Sequence, residues 1–186
     1  MRRLLLIAAL LLLSPTLLAS SDERLRQADF APHTTLERAS LERKNQSVLR
    51  YLWVDVYAAA LYAEPNVSAA QALDRQRSIR LELYYFRKIL RSDVIEAAWT
   101  TLRRQHDQAT LARLRNELNA LHANFLDINP GDRYALNYSA DSGLSLDRNG
   151  KTAFASSNPE LASAYLGIWL APNGLSDSLR SNLLSD

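Results

Sequence analysis

The chain has 186 residues, 47% of them hydrophobic, with five glycines, no cysteine and a formal net charge of +2. That length and apolar content suit one domain with its own core. The absence of cysteine excludes disulfides and a lipid-modified N-terminal cysteine, and the near-balanced charge carries no nucleic-acid signature.

Arg2 and Arg3 precede an apolar run, Leu4 to Leu13, which Ser14-Pro15 break before the small residues Ala19 and Ser20. This order reads as a secretory signal peptide over residues 1–20. The run is shorter than the ~20 residues of a spanning helix, although Leu17 and Leu18 lengthen it and leave an uncleaved anchor as the alternative. Cleavage removes both arginines and brings the mature chain to neutrality. Residues 21–186 then form a single domain with no stable membrane span. Export without cysteine fits a bacterial periplasm better than the eukaryotic secretory route.

Ser20 to Pro32 is polar and reads as a mobile lead-in. Thr34 to Arg43 is a first strand, ended by the polar turn Arg43 to Ser47. Val48 to Tyr62, VLRYLWVDVYAAALY, then reads as one long strand. By parity Arg50 shares a face with Leu52, Val54, Val56, Ala58 and Ala60, and the opposite face carries Tyr51, Trp53, Asp55, Tyr57 and Ala59. Ser68 caps a short helix containing Leu73. Ser78 to Phe86 alternates as a half-buried strand, with Ile79, Leu81, Leu83 and Tyr85 on one side.

Ser92 caps the next helix, whose apolar face is Val94, Ile95, Ala98, Trp99 and Leu102. A second helical stripe runs through Leu111, Leu114, Leu118, Leu121 and Phe125. Tyr134, Leu136 and Tyr138 alternate as a strand. Leu144 and Leu146 mark another, and Asn149-Gly150 turns it back through Lys151 to Ala155. Asn158 caps a helix with Pro159 in its first position, and Ser176 starts a last helix with Leu179 and Leu183. This order gives an α+β fold: a mainly antiparallel sheet with helices on one face.

His33, His106 and His122 have no partners at metal-ligand spacing, so no metal site is assigned. No glycine-rich phosphate loop and no nucleophile elbow occur, and no cofactor is implied. Arg50 is the position where two readings compete. A buried guanidinium needs a carboxylate partner from the protein or from a ligand; at a strand end it reaches water or a local acid instead.

The segments LRYLWVDVYAAALY, LELYYFRKIL, NPGDRYALNY with DRNGK, and AYLGIWLAPNGLSDSLRSNLL resemble the bacterial chalcone isomerase-like proteins. The resemblance runs from about Leu36 to Leu184. It implies an open-faced β-sandwich, a curved antiparallel sheet packed against a layer of helices with a ligand cleft between. In the plant enzymes of that family an arginine near the start of this strand helps close a flavanone ring without a cofactor; in fatty-acid-binding members it holds a carboxylate. Arg50 best matches it. The remaining catalytic pattern does not transfer: the expected strand threonine falls at about Leu52, the helix threonine near Gly167, and no tyrosine lies between Tyr85 and Tyr134. Ring closure needs donors aimed at the developing charge, so no catalytic residue is assigned.

The leading expectation is an exported, non-catalytic protein that binds a fatty acid or other small apolar carboxylate in the sheet–helix cleft. Arg50 would meet the head group, and Tyr85 and Trp99 would line the tail. A cofactor-free isomerase or lyase acting on an unsaturated ketone and a periplasmic protein-interaction module are the alternatives. The oligomeric state is left open.

Overall fold

A computed structural model describes residues 20–73 and 77–185. The predicted signal peptide lies outside these residues except for Ser20. The lead-in expected to be mobile is a helix, α1 (Ser21–Ala28), whose N-cap is the Ser20 hydroxyl accepting from the Glu23 N–H.

The first expected strand is two strands, β1 (His33–Leu36) and β2 (Ala39–Tyr51). β2 runs straight through Arg43–Ser47, which the sequence reads as a turn. The polar residues there are satisfied by the C-terminal helix α5 (Asp177–Leu183) and the residues after it. Asn45 donates to the carbonyls of Leu183 and Ser185, and Asn182 donates to the Ser47 hydroxyl. A register shift between Arg43 and Asn45 absorbs the irregularity. Composition marks a turn here, and tertiary hydrogen bonding makes it a strand.

VLRYLWVDVYAAALY is likewise not one strand. β2 ends at Tyr51, and β3 (Val54–Ala63) returns antiparallel, with Tyr51 paired to Val54. The two-residue loop Leu52-Trp53 has φ of 45° and 68°, the left-handed pattern of a type I′ turn. Neither residue belongs to the usual turn set of Asn, Asp and Gly, so no compositional signal announces the reversal.

The sheet continues with β4 (Ile79–Tyr85), β5 (Arg133–Ser139), β6 (Gly143–Arg148) and β7 (Lys151–Ser156). All seven strands lie in one curved sheet in sequence order, each antiparallel to the next. β4 shows the predicted alternation, with Ile79, Leu81, Leu83 and Tyr85 buried. Its Arg80 and Glu82 face the other way, into a cross-strand network. Arg80 donates to Glu82, Asn137 and Asp147, and Arg133 donates to Glu82.

One face of the sheet packs on α2 (Arg91–Gln105), α3 (Gln108–His122) and α4 (Pro159–Leu170). α4 buries residues on every side, including Leu161, Tyr165, Ile168 and Trp169, because it lies between the sheet and the other two helices. Asn158 caps it as expected, accepting from the N–H groups of Glu160 and Leu161. Ser92 does not cap α2. That helix starts at Arg91, whose N–H donates to Asp127 across the fold while its guanidinium holds the carbonyls of His122 and Phe125.

The expectation of helices on one face alone is corrected by α1, which packs on the opposite face. There Ala28, Phe30, Leu41, Ala58, Ala60, Tyr62 and Phe86 form a second, smaller core. The alanine run of β3 is therefore buried on both faces, which explains its small side chains.

Candidate functional site

A half-open, mainly apolar cavity of about 420 Å³ lies between the sheet and the helical layer at one end of the sheet. It falls within the ~300–1,000 Å³ typical of small-molecule sites. The end of β2 contributes Leu49, Arg50 and Tyr51; β3 and β4 contribute Tyr57 and Tyr85; α2 contributes Val94, Ala97 and Ala98; α4 contributes Tyr165, Ile168 and Trp169. A smaller cavity of about 210 Å³ lies along α4 by Leu166, Leu170 and Arg180. Its arginine Nε is occupied by the Leu170 carbonyl at 3.1 Å.

Arg50 stands at the rim of the larger cavity with its side chain 43% exposed. It lies next to the end of β2 and pairs with a nearby acid, as the strand-end reading describes. Its Nε donates to Asp55 Oδ1 at 2.8 Å across the hairpin, and Arg24 of α1 donates to Asp55 Oδ2 at 3.0 Å. Asp55 is only 4% exposed. Burial works to raise its carboxyl, but the hydrogen bonds and charges of Arg50 and then Arg24 outweigh burial and hold it below the usual carboxylate range. Two guanidinium groups thus share one carboxylate, and Asp93 of α2 lines the same cavity. Because Arg50 uses Nε, its terminal nitrogens make no hydrogen bond among the described residues.

Inside the rim the wall is aromatic. Tyr57 and Tyr85 have ring centroids 5.3 Å apart, and Tyr165 packs on Trp169 at 6.3 Å. Trp169 Nε1 donates to the Tyr57 hydroxyl at 2.9 Å. Burial pushes the phenols of Tyr57, Tyr85 and Tyr165 above their ordinary value of 10. All three keep their protons at neutral pH and are donors. Since Tyr57 Oη already accepts from Trp169, its own proton is free to point at a ligand oxygen. The arrangement can hold an apolar body and offer cationic and phenolic donors to an oxygen-rich end.

Of the residues singled out by sequence, Arg50 and Tyr85 line this cavity together. Trp99 is not among the lining residues. It packs edge-on to His122 at 5.6 Å, with Arg103 and Arg115 over its ring, because its position on α2 faces α3 rather than the sheet. Leu52, the position expected to match a substrate-polarising threonine, is at the hairpin tip and 72% exposed. Gly167 faces the smaller cavity. Sequence reasoning missed Tyr57, Tyr165 and Trp169. Parity had put Tyr57 opposite Arg50, but the turn at Leu52-Trp53 and a register shift between Leu49 and Arg50 bring both to one space. Recognising the reversal would have found it. Among the described residues no group of three or more His, Asp or Glu gathers to hold a metal ion.

The sequence profile of the chalcone isomerase-like family matches residues 23–185. Among solved structures, the crystal structure of a fatty-acid binding protein of Arabidopsis thaliana aligns with a TM-score of 0.54 and 15% identity, covering 84% of this chain and 89% of that one. No curated protein sequence matches the chain. At that identity the structural likeness speaks for the fold alone: a curved antiparallel sheet against a helical layer. The profile spans nearly all the described residues. The chain belongs to the chalcone isomerase-like family.

Proposed function

We propose that this chain is a non-catalytic binding protein for a small apolar carboxylate, such as a fatty acid, taken up in the cavity between the sheet and helices α2 and α4. One observation carries the reading: an apolar space of about 420 Å³ has the unbonded terminal nitrogens of Arg50 at its rim and the protonated Tyr57 hydroxyl in its wall. Charge-assisted, bidentate contacts suit an arginine and a carboxylate. The Arabidopsis structural neighbour, by its description a fatty-acid binding protein, supports the same ligand class. The basic and apolar N-terminal pattern supports export through a signal peptide, with a periplasm as the destination.

Lipid extracted from the purified protein and analysed by mass spectrometry tests this. A carboxylic acid should be recovered from the wild type and lost from Arg50→Ala, in which Asp55 keeps its bond to Arg24 and the fold survives. Recovery of the same acid from both proteins would remove Arg50 from the site. Turnover in an enone absorbance assay would instead favour an isomerase or lyase.

A further inference from the structure

The β2–β3 hairpin ends in Tyr51-Leu52-Trp53-Val54, exposed by 67%, 72%, 81% and 38%. Two costs coincide there. Leu52 and Trp53 both hold positive φ, which bulky residues avoid, and both present apolar surface to water. The chain recovers neither cost by packing, and strain without internal compensation points to a role outside the fold.

The surroundings narrow that role. Phe86 N–H donates to the Val56 carbonyl at 3.0 Å, so the loop leaving β4 emerges beside the hairpin. This loop carries exposed Arg87, Lys88 and Leu90, the last 48% exposed. Arg87 and Lys88 have no ion pair among the described residues. Tyr51 and Arg50 from the hairpin, and Ile89 from the loop, line the same cavity, so the two segments are the lips of its mouth. The acidic groups at this end are fewer. Asp55 is enclosed by two arginines, Asp127 is bonded to the Arg91 N–H, and Asp93 lies at the cavity wall.

We propose that these lips dock on an anionic lipid bilayer, with Leu52 and Trp53 inserted at the headgroup boundary and Arg87 and Lys88 on the lipid phosphates. Tryptophan and tyrosine favour that boundary, and each basic residue near an anionic surface adds to attraction. A second copy of the chain is a poor occupant. Two aromatics at ~150–250 Å² each give the tip about 300–500 Å², short of the ~800 Å² per partner in a stable interface. A bilayer needs no complementary shape. Docking would open the cavity mouth onto lipid, and it stands or falls separately from ligand binding.

The test uses the protein as the expressing cell processes it, its N-terminus read by mass spectrometry, with vesicles free of fatty acid. One set is phosphatidylcholine with phosphatidylglycerol and the other phosphatidylcholine alone, each also made with lipids brominated near the headgroup. Trp53 is the exposed tryptophan, while Trp99 and Trp169 are half-buried and buried references. Anionic vesicles should shift emission to the blue, and brominated ones should quench it; Trp53→Phe should abolish both effects. Leu52→Asn/Trp53→Gly should weaken co-sedimentation at least tenfold without lowering thermal stability. Arg87→Gln and Lys88→Gln should each weaken it about fivefold, following ~1 kcal/mol per basic residue near the surface. Unquenched Trp53, or co-sedimentation indifferent to lipid charge and to the hairpin variant, overturns the proposal. So does a wild-type dimer in sedimentation equilibrium that the hairpin variant dissolves.

Discussion

Replacing Leu52-Trp53 by Asn-Gly should make this protein more stable, although it deletes two large apolar side chains. An L-residue in the left-handed region costs roughly 1–2 kcal/mol, and two such residues sit side by side at φ of 45° and 68°. Their side chains return little, being 72% and 81% exposed. Asn-Gly adopts this turn most readily, so the swap relieves about 2–4 kcal/mol at most. The extra freedom of glycine in the unfolded chain takes back about 0.5–1 kcal/mol. The net gain is about 1–3 kcal/mol, which for a domain of this size raises Tm by several degrees at ~2–4 °C per kcal/mol. Urea unfolding followed by circular dichroism should give a higher midpoint with an unchanged slope. A lower midpoint would show that Leu52 or Trp53 packs against the domain, and the strain argument would fail.

His122 predicts the acid response. It is 3% exposed, neither ring nitrogen has a hydrogen-bond partner among the described residues, and burial, then the charge of Arg91, pushes its pKa from 6.5 to about 4. Between those values the unfolded chain binds the extra proton, so stability falls as pH drops through 6.5 and the penalty is complete below about 4. The penalty is on the order of 3 kcal/mol at 1.36 kcal/mol per unit, and at pH 7 it is absent. His122→Leu should flatten this limb relative to the wild type in denaturant midpoints across that range; parallel curves would contradict the assignment. Gly143→Ala should destabilise by 2 kcal/mol or more, since φ is +76° and a Cβ would strike the Ser156 carbonyl. Thermal melting checks it, and an unchanged Tm would mean that the β6–β7 pairing gives way easily.

The fold was legible wherever the burial pattern of an element matched its period. β4, β5, the Asn149-Gly150 hairpin and α4 with its Asn158 cap follow directly from the alternation, turn and cap signals of their own residues. It was illegible where tertiary contacts decide. Arg43–Ser47 is polar enough for a turn but is paired into β2 because α5 satisfies its side chains. The Leu52-Trp53 turn is apolar enough for a strand but reverses the chain at positive φ. Missing that reversal puts Tyr57 on the opposite face from Arg50, whereas both line one cavity. Trp99 shares an apolar helix face with Val94 and Ala98, yet periodicity cannot say which part of that face meets the sheet, and Trp99 meets α3. Charge on a buried-looking strand singles out Arg50 as anomalous, but by parity it reads as a strand-end residue, and only the family resemblance turns it towards a cleft.

The central claim is that the cavity between β2–β4, α2 and α4 takes an apolar carboxylate. Calorimetric titration of delipidated protein with palmitate, across several temperatures, tests it most directly when wild type is set beside Ala97→Trp. Ala97 lines the cavity from an exposed position on α2, so the larger side chain fills the space without disturbing the core. The wild type should bind at one site with a micromolar Kd or tighter, roughly −8 kcal/mol, and a negative heat-capacity change, while Ala97→Trp shows no binding heat. No binding by the wild type, or equal binding by both proteins, would contradict the account.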